Sequence, residues 1–482
     1  MSESGVVFPA GPDGRRSTAA LGRAVVADAL RPVDPTGAGA AERETNWRTG
    51  YLSHFRRLVE AGLPSRDAAL AIADAGLIAL HARMRVAAPD GAETGLAELA
   101  TAPAGRTLGT AEVAGDAEPE RELSLPFRGE RLRGDALLRR LDTWVEGGVV
   151  EPSAAEAVRT VVAHPEWLAL PGTTVVVLGA GAEMGPLTAL LRWGARVAGV
   201  DLPRPQLWER VLDTARRGAG TLLYPVAGDA GAPGADLISE VPAVAEWVTG
   251  LPGRPVLGDY VYADGATNVR VSTAVDALTV RLAATRDDLA LAFLATPTDV
   301  FAVPPDAVAQ SVRAYAGRSR AAKLLGRPLR TLSAGRLLQR AYVPGSDPGV
   351  SDSLVPQQGP NYALAKRLQR WRATVARAAG TTVSMNVAPP TRTRSVLKNR
   401  ALAAAYAGAH RFGVEVFDPA TSNVLMAALL VHDLHTGGGP AHEQPWQDEA
   451  YAAVHGGLWR TAYAPRSALG LAALLGYGAA PS

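Results

Sequence analysis

The chain has 482 residues, 47% hydrophobic and 20% charged, with a formal net charge of +2 and no cysteine. That balance predicts a soluble globular protein of two or three domains and argues against polyanion binding as its main role. Missing thiols exclude disulfides, thiolate metal sites and a cysteine nucleophile, and they fit a cytoplasmic protein. No apolar core of signal-peptide length stands near the N-terminus. The most apolar segments, such as LMAALLVHDL (425–434), fall far short of the roughly 20 residues that span a bilayer. A small-molecule substrate is therefore expected, without a nucleic-acid or membrane partner.

Residues 1–45 are rich in Gly, Ala and Pro. The segment 46–84 has helical periodicity broken at GLPS, where Ser65 is placed to cap a second helix. Residues 100–126 lack periodicity and read as loop or short strands. Residues 134–170 supply two more helices, the second with Ser153 as its cap. The region 1–165 is thus expected to be mostly helical and without chemistry of its own. Its apolar stripes should pack on the domain that follows or form a contact between subunits of a homo-oligomer.

The pattern changes in 166–482. TVVVLG (174–179) is a continuous apolar run, expected of a strand buried on both faces of a parallel sheet. A glycine-rich turn, a helix beginning near Pro186 and a second strand, ARVAGVD (195–201), complete a βαβ unit. Further strands are expected within 221–229, 255–265, 289–299 and 381–390, separated by helical segments. Alternation of this kind predicts an α/β fold with a doubly wound parallel sheet.

Gly179, Gly181 and Gly185 form G-x-G-x-x-x-G between strand and helix. Glycines let the backbone turn tightly and approach a pyrophosphate, and a helix N-terminus favours the anion. Asp201 ends the second strand, where a carboxylate can bond both hydroxyls of an adenosine ribose. It repels a ribose 2′-phosphate and so favours NAD, while Arg204 can accept that phosphate and keeps NADP open. S-adenosylmethionine sites use a similar turn and acid, so a methyltransferase is the alternative. A nucleotide-binding protein without catalysis is a third.

A second feature is NYALAKRLQRW (361–371), with Tyr362 and Lys366 one helical turn apart. An ammonium beside a phenol favours its ionised form. The bland alternative is a solvated basic face, because Arg367, Arg370 and Arg372 follow. Yet Lys323, Lys366 and Lys398 are the only lysines. With 11 Tyr, chance supplies about 0.07 Tyr-x-x-x-Lys pairs.

The order of glycine turn, Tyr-x-x-x-Lys and then NVAPPTRT (386–393) resembles the short-chain dehydrogenase/reductase superfamily, over about 170–435. LGAGAEMG (178–185) resembles that family's T-G-x-x-x-G-x-G turn, with Glu183 in place of the middle glycine. VAGDA (226–230) resembles the segment whose aspartate, here Asp229, contacts the adenine. YADGA (262–266) takes the place of N-N-A-G, and only Gly265 survives. MNVAPPTRT (385–393) is similar to N-x-v-x-P-G-x-x-x-T, with Pro390 where glycine is usual. The resemblance implies a Rossmann-type fold and NAD(P)-dependent interconversion of a carbonyl and an alcohol. Tyr362 would exchange the proton, and Lys366 would lower its pKa and hold the nicotinamide ribose. The family's serine is matched by Thr296 or Thr298, or else by Ser351 or Ser353, because 301–360 is an insertion expected to form a lid. Cofactor contacts are expected from Gly179, Gly181, Glu183, Met184 and Gly185, from Asp201 and Leu202, and from Asp229, Gly265 and Lys366. Pro389, Thr391 and Thr393 complete them, with the threonines as candidates to hold the carboxamide.

His432, Asp433, His435 and His442 invite a metal reading, but His432 and His435 at i, i+3 lack a third placed ligand, and no metal is expected. The acids of TRDDLA (285–290) read as a solvated helix end, and 451–477 as packing.

Overall fold

In the computed structural model, which describes residues 4–228 and 231–478, the apolar runs form one seven-stranded sheet. Its strands are β1 (Leu108–Ala114), β2 (Thr173–Leu178), β3 (Arg196–Val200), β4 (Thr221–Ala227), β5 (Arg254–Asp259), β6 (Ala290–Ala295) and β7 (Val383–Val387). Their order is β7-β6-β5-β2-β3-β4-β1. The six strands β2–β7 are parallel, and β1 runs antiparallel to β4. The α/β expectation holds. Each expected strand of 166–482 is present; the first has the expected length shifted by one residue, and the others are shorter than the runs that announced them.

Both faces of the sheet are covered. Successive strand side chains point to opposite faces, so Val175 and Val177 enter one core while Val176 and Leu178 enter the other. Full burial of such side chains contributes about 1.5–3 kcal/mol each. On the Val176 side lie α1 (Thr18–Leu30), α2 (Trp47–Gly62), α3 (Arg66–Arg83), α8 (Val241–Thr249), α9 (Ala266–Ala283) and α12 (Gly359–Ala378). On the Val175 side lie α4 (Gly134–Glu146), α5 (Pro152–Ala163), α6 (Leu187–Arg192), α7 (Pro205–Arg216) and α14 (Pro419–Thr436). The N-terminal helices are packed into both cores. A Cβ at Gly76 of α3 would lie 2.4 Å from the ring of Trp371 on α12, so only glycine admits that contact.

Ser65 caps α3 as expected, its hydroxyl accepting from the Ala68 N–H at 3.1 Å. One expectation fails in the same region, and one is sharpened. Ser153 does not cap α5: Pro152 suits the first helical position, so the cap falls on Glu151, and the Ser153 hydroxyl accepts from Ala452 N–H instead. The segment 100–126 contains β1, a seven-residue edge strand whose alternating exposure reads weakly because only one of its faces is covered.

The segment 301–360 departs from the sheet as a ribbon, Val300–Val303 paired antiparallel with Gly349–Asp352. Between its strands lie α10 (Pro305–Ala316) and α11 (Arg320–Leu332), and the arm rests on the C-terminal segment through Tyr315, Leu338 and Tyr463. The helices α13 (Arg400–Gly408) and α15 (Pro465–Gly476) pack closely enough that a Cβ at Gly408 would meet the Ala472 carbonyl at 2.0 Å.

Candidate active site

The direction of chain progress across the sheet reverses between β2 and β5, which are neighbours, with Leu178 opposite Asp259. Loops leaving the carboxyl ends of such a pair diverge and open a crevice. The glycine turn occupies it. Gly179 has φ +87°, and a Cβ there would stand 3.0 Å from the Tyr260 carbonyl oxygen. The Gly181 N–H donates to Asp201 Oδ2 at 2.9 Å and the Leu202 N–H to Oδ1 at 2.8 Å. Burial raises the Asp201 pKa, with those two N–H groups opposing it. Each Asp201 oxygen keeps a free acceptor site.

The N–H groups of Glu183 and Met184 have no acceptor among the described residues. Glu183 accepts the Arg394 N–H at 2.9 Å and pairs with its guanidinium at 3.2 Å, tying the turn to the loop after β7. Gly185 is buried, and its carbonyl accepts from the Asn423 amide. The helix that follows, α6, has only six residues and no side-chain cap. The anion-favouring groups here are therefore the turn amides more than a helix dipole, which acts mainly through its end turn. Free N–H groups beside an acid with spare acceptor sites fit the pyrophosphate and ribose of an adenine dinucleotide.

Across the crevice, α12 opens at Gly359 and presents Tyr362, half-buried, one turn in. Thr296, directly beyond the end of β6, is the hydroxyl neighbour that pulls the phenol's pKa down. Thr296 Oγ1 is 3.0 Å from Thr298 Oγ1, which accepts from Gln358 Nε2 at 2.7 Å. Of the hydroxyls considered for this place, Thr296 is the one that acts on the tyrosine's pKa. Ser351 and Ser353 are buried 3.5 Å from each other.

Lys366 is on the same helix but does not serve the phenol as expected. Its Nζ donates to the Leu294 carbonyl at 3.2 Å and to Gln369 Oε1 at 2.9 Å. Burial lowers its pKa, opposed by Asp259 and Asp299. The Tyr362 pKa is raised, not lowered: burial dominates, the nearby Thr296 hydroxyl opposes it, and Asp299 adds to it. The two side chains leave the helix together and diverge, one to the sheet and one to the crevice.

Two acids escaped the sequence reading. Asp259 ends β5, is 3% exposed, and has a carboxyl pushed up to about 6 by burial, with Lys366 and Gln369 pulling the other way. An acid closing an apolar strand run, as in PVLGDY, was the available signal. Asp299 accepts from Arg367 at 3.0 Å and Arg370 at 2.7 Å, and Arg370 also holds Glu449. This buried network fixes α12, and so Tyr362, against the loop beyond β6. The following arginine, Arg372, pairs with Asp276, so the bland reading of a solvated face fails as well.

Other expected contacts are placed differently. The strand β5 ends at Asp259, so Gly265 is not at its mouth but six residues on, capping α9 with φ +60°. Thr391 is buried and turned away, its hydroxyl on the Pro389 carbonyl at 2.9 Å and on Ser422 at 2.7 Å. Thr393 is half-buried beside Ser395 at 2.9 Å. Asp229 lies outside the described residues. His432 is bonded to Asp433, His435 stacks on Trp167, and His442 is bonded to Asp448. Asp288 pairs with Arg286.

An apolar pocket of about 70 Å³ adjoins this site. Thr298 and Tyr406 belong to its wall, with Leu354, Pro390, Phe412 and Leu458 among the rest. Its one charged residue, Arg466, is paired with Asp352.

No family model matches the chain, and no curated protein matches it. A solved structure described as "Structure of A1-type ketoreductase" is similar at 14% identity with a TM-score of 0.31. The match covers 55% of this chain and 46% of that one, so the chain spans less than half of that structure. A likeness so distant carries no functional information.

Proposed function

We propose that this chain is an NAD(P)-dependent oxidoreductase of short-chain type, built on a Rossmann-type doubly wound sheet, that interconverts a carbonyl and an alcohol on an apolar small molecule. The observation that carries this reading is the placement of the Tyr362 phenol beside Thr296, directly beyond the carboxyl end of β6, on the sheet edge where the glycine turn also lies. A dinucleotide at the turn would be held by Asp201 and the Glu183 and Met184 amides, and its nicotinamide supplies the hydride. Tyr362 gives its proton to the substrate oxygen in the reductive direction. The phenol is protonated at neutral pH, as a donor must be, and its raised pKa makes it a weaker acid until a bound cofactor changes its surroundings. Thr296 orients the same oxygen, and Thr298 with Gln358 fixes Thr296. Lys366, bonded to the Leu294 carbonyl of β6, would offer an ammonium to a ribose hydroxyl. The neighbouring pocket suits an uncharged, apolar arm of the substrate, since its lining offers no unpaired charge.

Calorimetric titration of the full chain with NADH, NADPH and S-adenosylmethionine in parallel tests the class. NADH should bind most tightly, because Asp201 repels a 2′-phosphate. Tighter binding of S-adenosylmethionine, or no binding of either nicotinamide nucleotide, overturns the reading. With an uncharged methyl ketone as substrate, Tyr362→Phe should lower kcat by roughly 10²–10⁴-fold and leave NADH affinity unchanged.

A further inference from the structure

The stretch 313–340 of the arm contains eight Arg and Lys and no Asp or Glu. Outside it, 41 basic residues face all 47 acidic ones, a net charge of −6. Elsewhere arginines are commonly held by carboxylates, as Arg192 is by Glu120 and Arg460 by Glu151. Among the described residues, none of the eight cations of this stretch forms an ion pair. Three of them instead crowd one ring. Arg318 lies 3.4 Å and Arg340 4.7 Å from the Tyr315 centroid, and Arg330 donates to its hydroxyl. Like charges gathered without a counterion repel one another, and an anionic surface relieves them.

The helix α11 adds a second feature. Arg320, Lys323, Arg327 and Arg330 recur at three- and four-residue spacing and so share one face. Leu324, 68% exposed, borders that face, and Leu332, 86% exposed, stands at the helix end about 80° farther round, while Gly326 and the half-buried Ala322 and Leu329 are on the side that meets the protein. Val343, farther along, is 74% exposed. A purely electrostatic partner gains nothing from naked leucines. A lipid headgroup boundary gains from both, since apolar side chains enter it while the long cationic ones reach up to the phosphates. Nucleic acid is disfavoured on the same ground, and because Tyr315 is covered by guanidinium groups and has no open face for base stacking.

We propose that residues 313–340 form a docking surface for an anionic phospholipid bilayer, with Leu324 and Leu332 entering the headgroup boundary. The assignment stands independently of the catalytic reading. It also touches that site: Tyr463 meets Tyr315 edge-on at 5.8 Å and lines the apolar pocket, so docking brings the pocket close to the lipid.

The test is co-sedimentation of the full chain with vesicles of phosphatidylcholine alone and of phosphatidylcholine mixed with phosphatidylglycerol. Binding is expected to the mixed vesicles only, and to weaken as salt screens the charges. Lys323→Ala with Arg327→Ala should weaken it roughly 30-fold, at about fivefold per cation. Leu324→Ser with Leu332→Ser should weaken it roughly tenfold. Because all four side chains are exposed, unchanged thermal melting of both variants separates lost docking from lost fold. Failure to bind mixed vesicles, or equal binding to neutral ones, overturns the proposal. So does loss on the charge change with none on the leucine change, which would mark a surface for an acidic protein.

Discussion

The helices α11 and α12 carry similar basic sequences, RAAKLLGRPLR and AKRLQRWR, in opposite surroundings. On α12, Arg367 and Arg370 are 4% and 2% exposed and hold Asp299, with Glu449 beyond. On α11, Arg320, Lys323 and Arg327 are exposed, with no carboxylate partner among the described residues. The difference does not lie in the helices themselves. It lies in whether distant segments deliver acids: Asp299 from the loop after β6, Glu449 from the C-terminal part. Paired and buried cations lock an element in place. Unpaired, exposed ones leave it free to meet something else.

The sharpest way to break this contrast is at Asp299. Asp299→Ala leaves Arg367 and Arg370 buried beside a missing charge, and removing one partner of a buried pair costs about 3–5 kcal/mol. Urea unfolding of the variant should show a loss of that size. A loss below about 1 kcal/mol would mean that the network is solvated in solution.

A smaller effect is expected at Asp259, beside Lys366. Its folded pKa of about 6 stands above the unfolded value of about 3.9. The folded state therefore holds this proton more tightly than the unfolded one. The resulting stabilisation is full below about pH 3.9 and is lost as pH rises through about 6. Asp259→Asn should flatten the stability profile between about pH 4 and pH 6, an effect of up to about 3 kcal/mol. Unfolding curves over that range decide it: a slope equal to the parent's would show that Asp259 does not titrate there.

The smallest effect belongs to the exposed helix. Arg327→Ala should change folding stability by no more than about 0.5 kcal/mol, as expected of a surface site without a partner. A larger loss in the same unfolding measurement would mean that the arm is held by its charge after all.

What the sequence disclosed, and what it withheld, follow the same division. The buried strands were legible because a parallel strand covered on both faces is a near-continuous apolar run, as 175–178 is. The Ser65 cap and the Gly179–Gly185 turn were legible because each rests on a local rule of spacing. Tyr362 stood out through its spacing to Lys366, made conspicuous by a chain with almost no lysine. Long-range pairings were not legible. Nothing local shows that Asp299 receives Arg367 and Arg370, that Lys366 turns to the Leu294 carbonyl rather than to Tyr362, or that Thr391 turns to Ser422. The segment holding β1 was left open between loop and short strands for a related reason: an edge strand with one bare face has too weak an alternation to be told from a loop.

That edge strand has a consequence for how the protein is made. Every backbone partner of β1 lies in β4, with Leu108 opposite Ala227 and Ala114 opposite Thr221. A chain synthesised from its N-terminus therefore finishes β1 more than a hundred residues before the last of those partners exists. Meanwhile β2 and β3, which are closer in sequence, can already pair. The strand made first waits at the margin of a sheet that grows without it. Its seven residues must reach that margin unspoiled, with a loop to close that grows costlier with length.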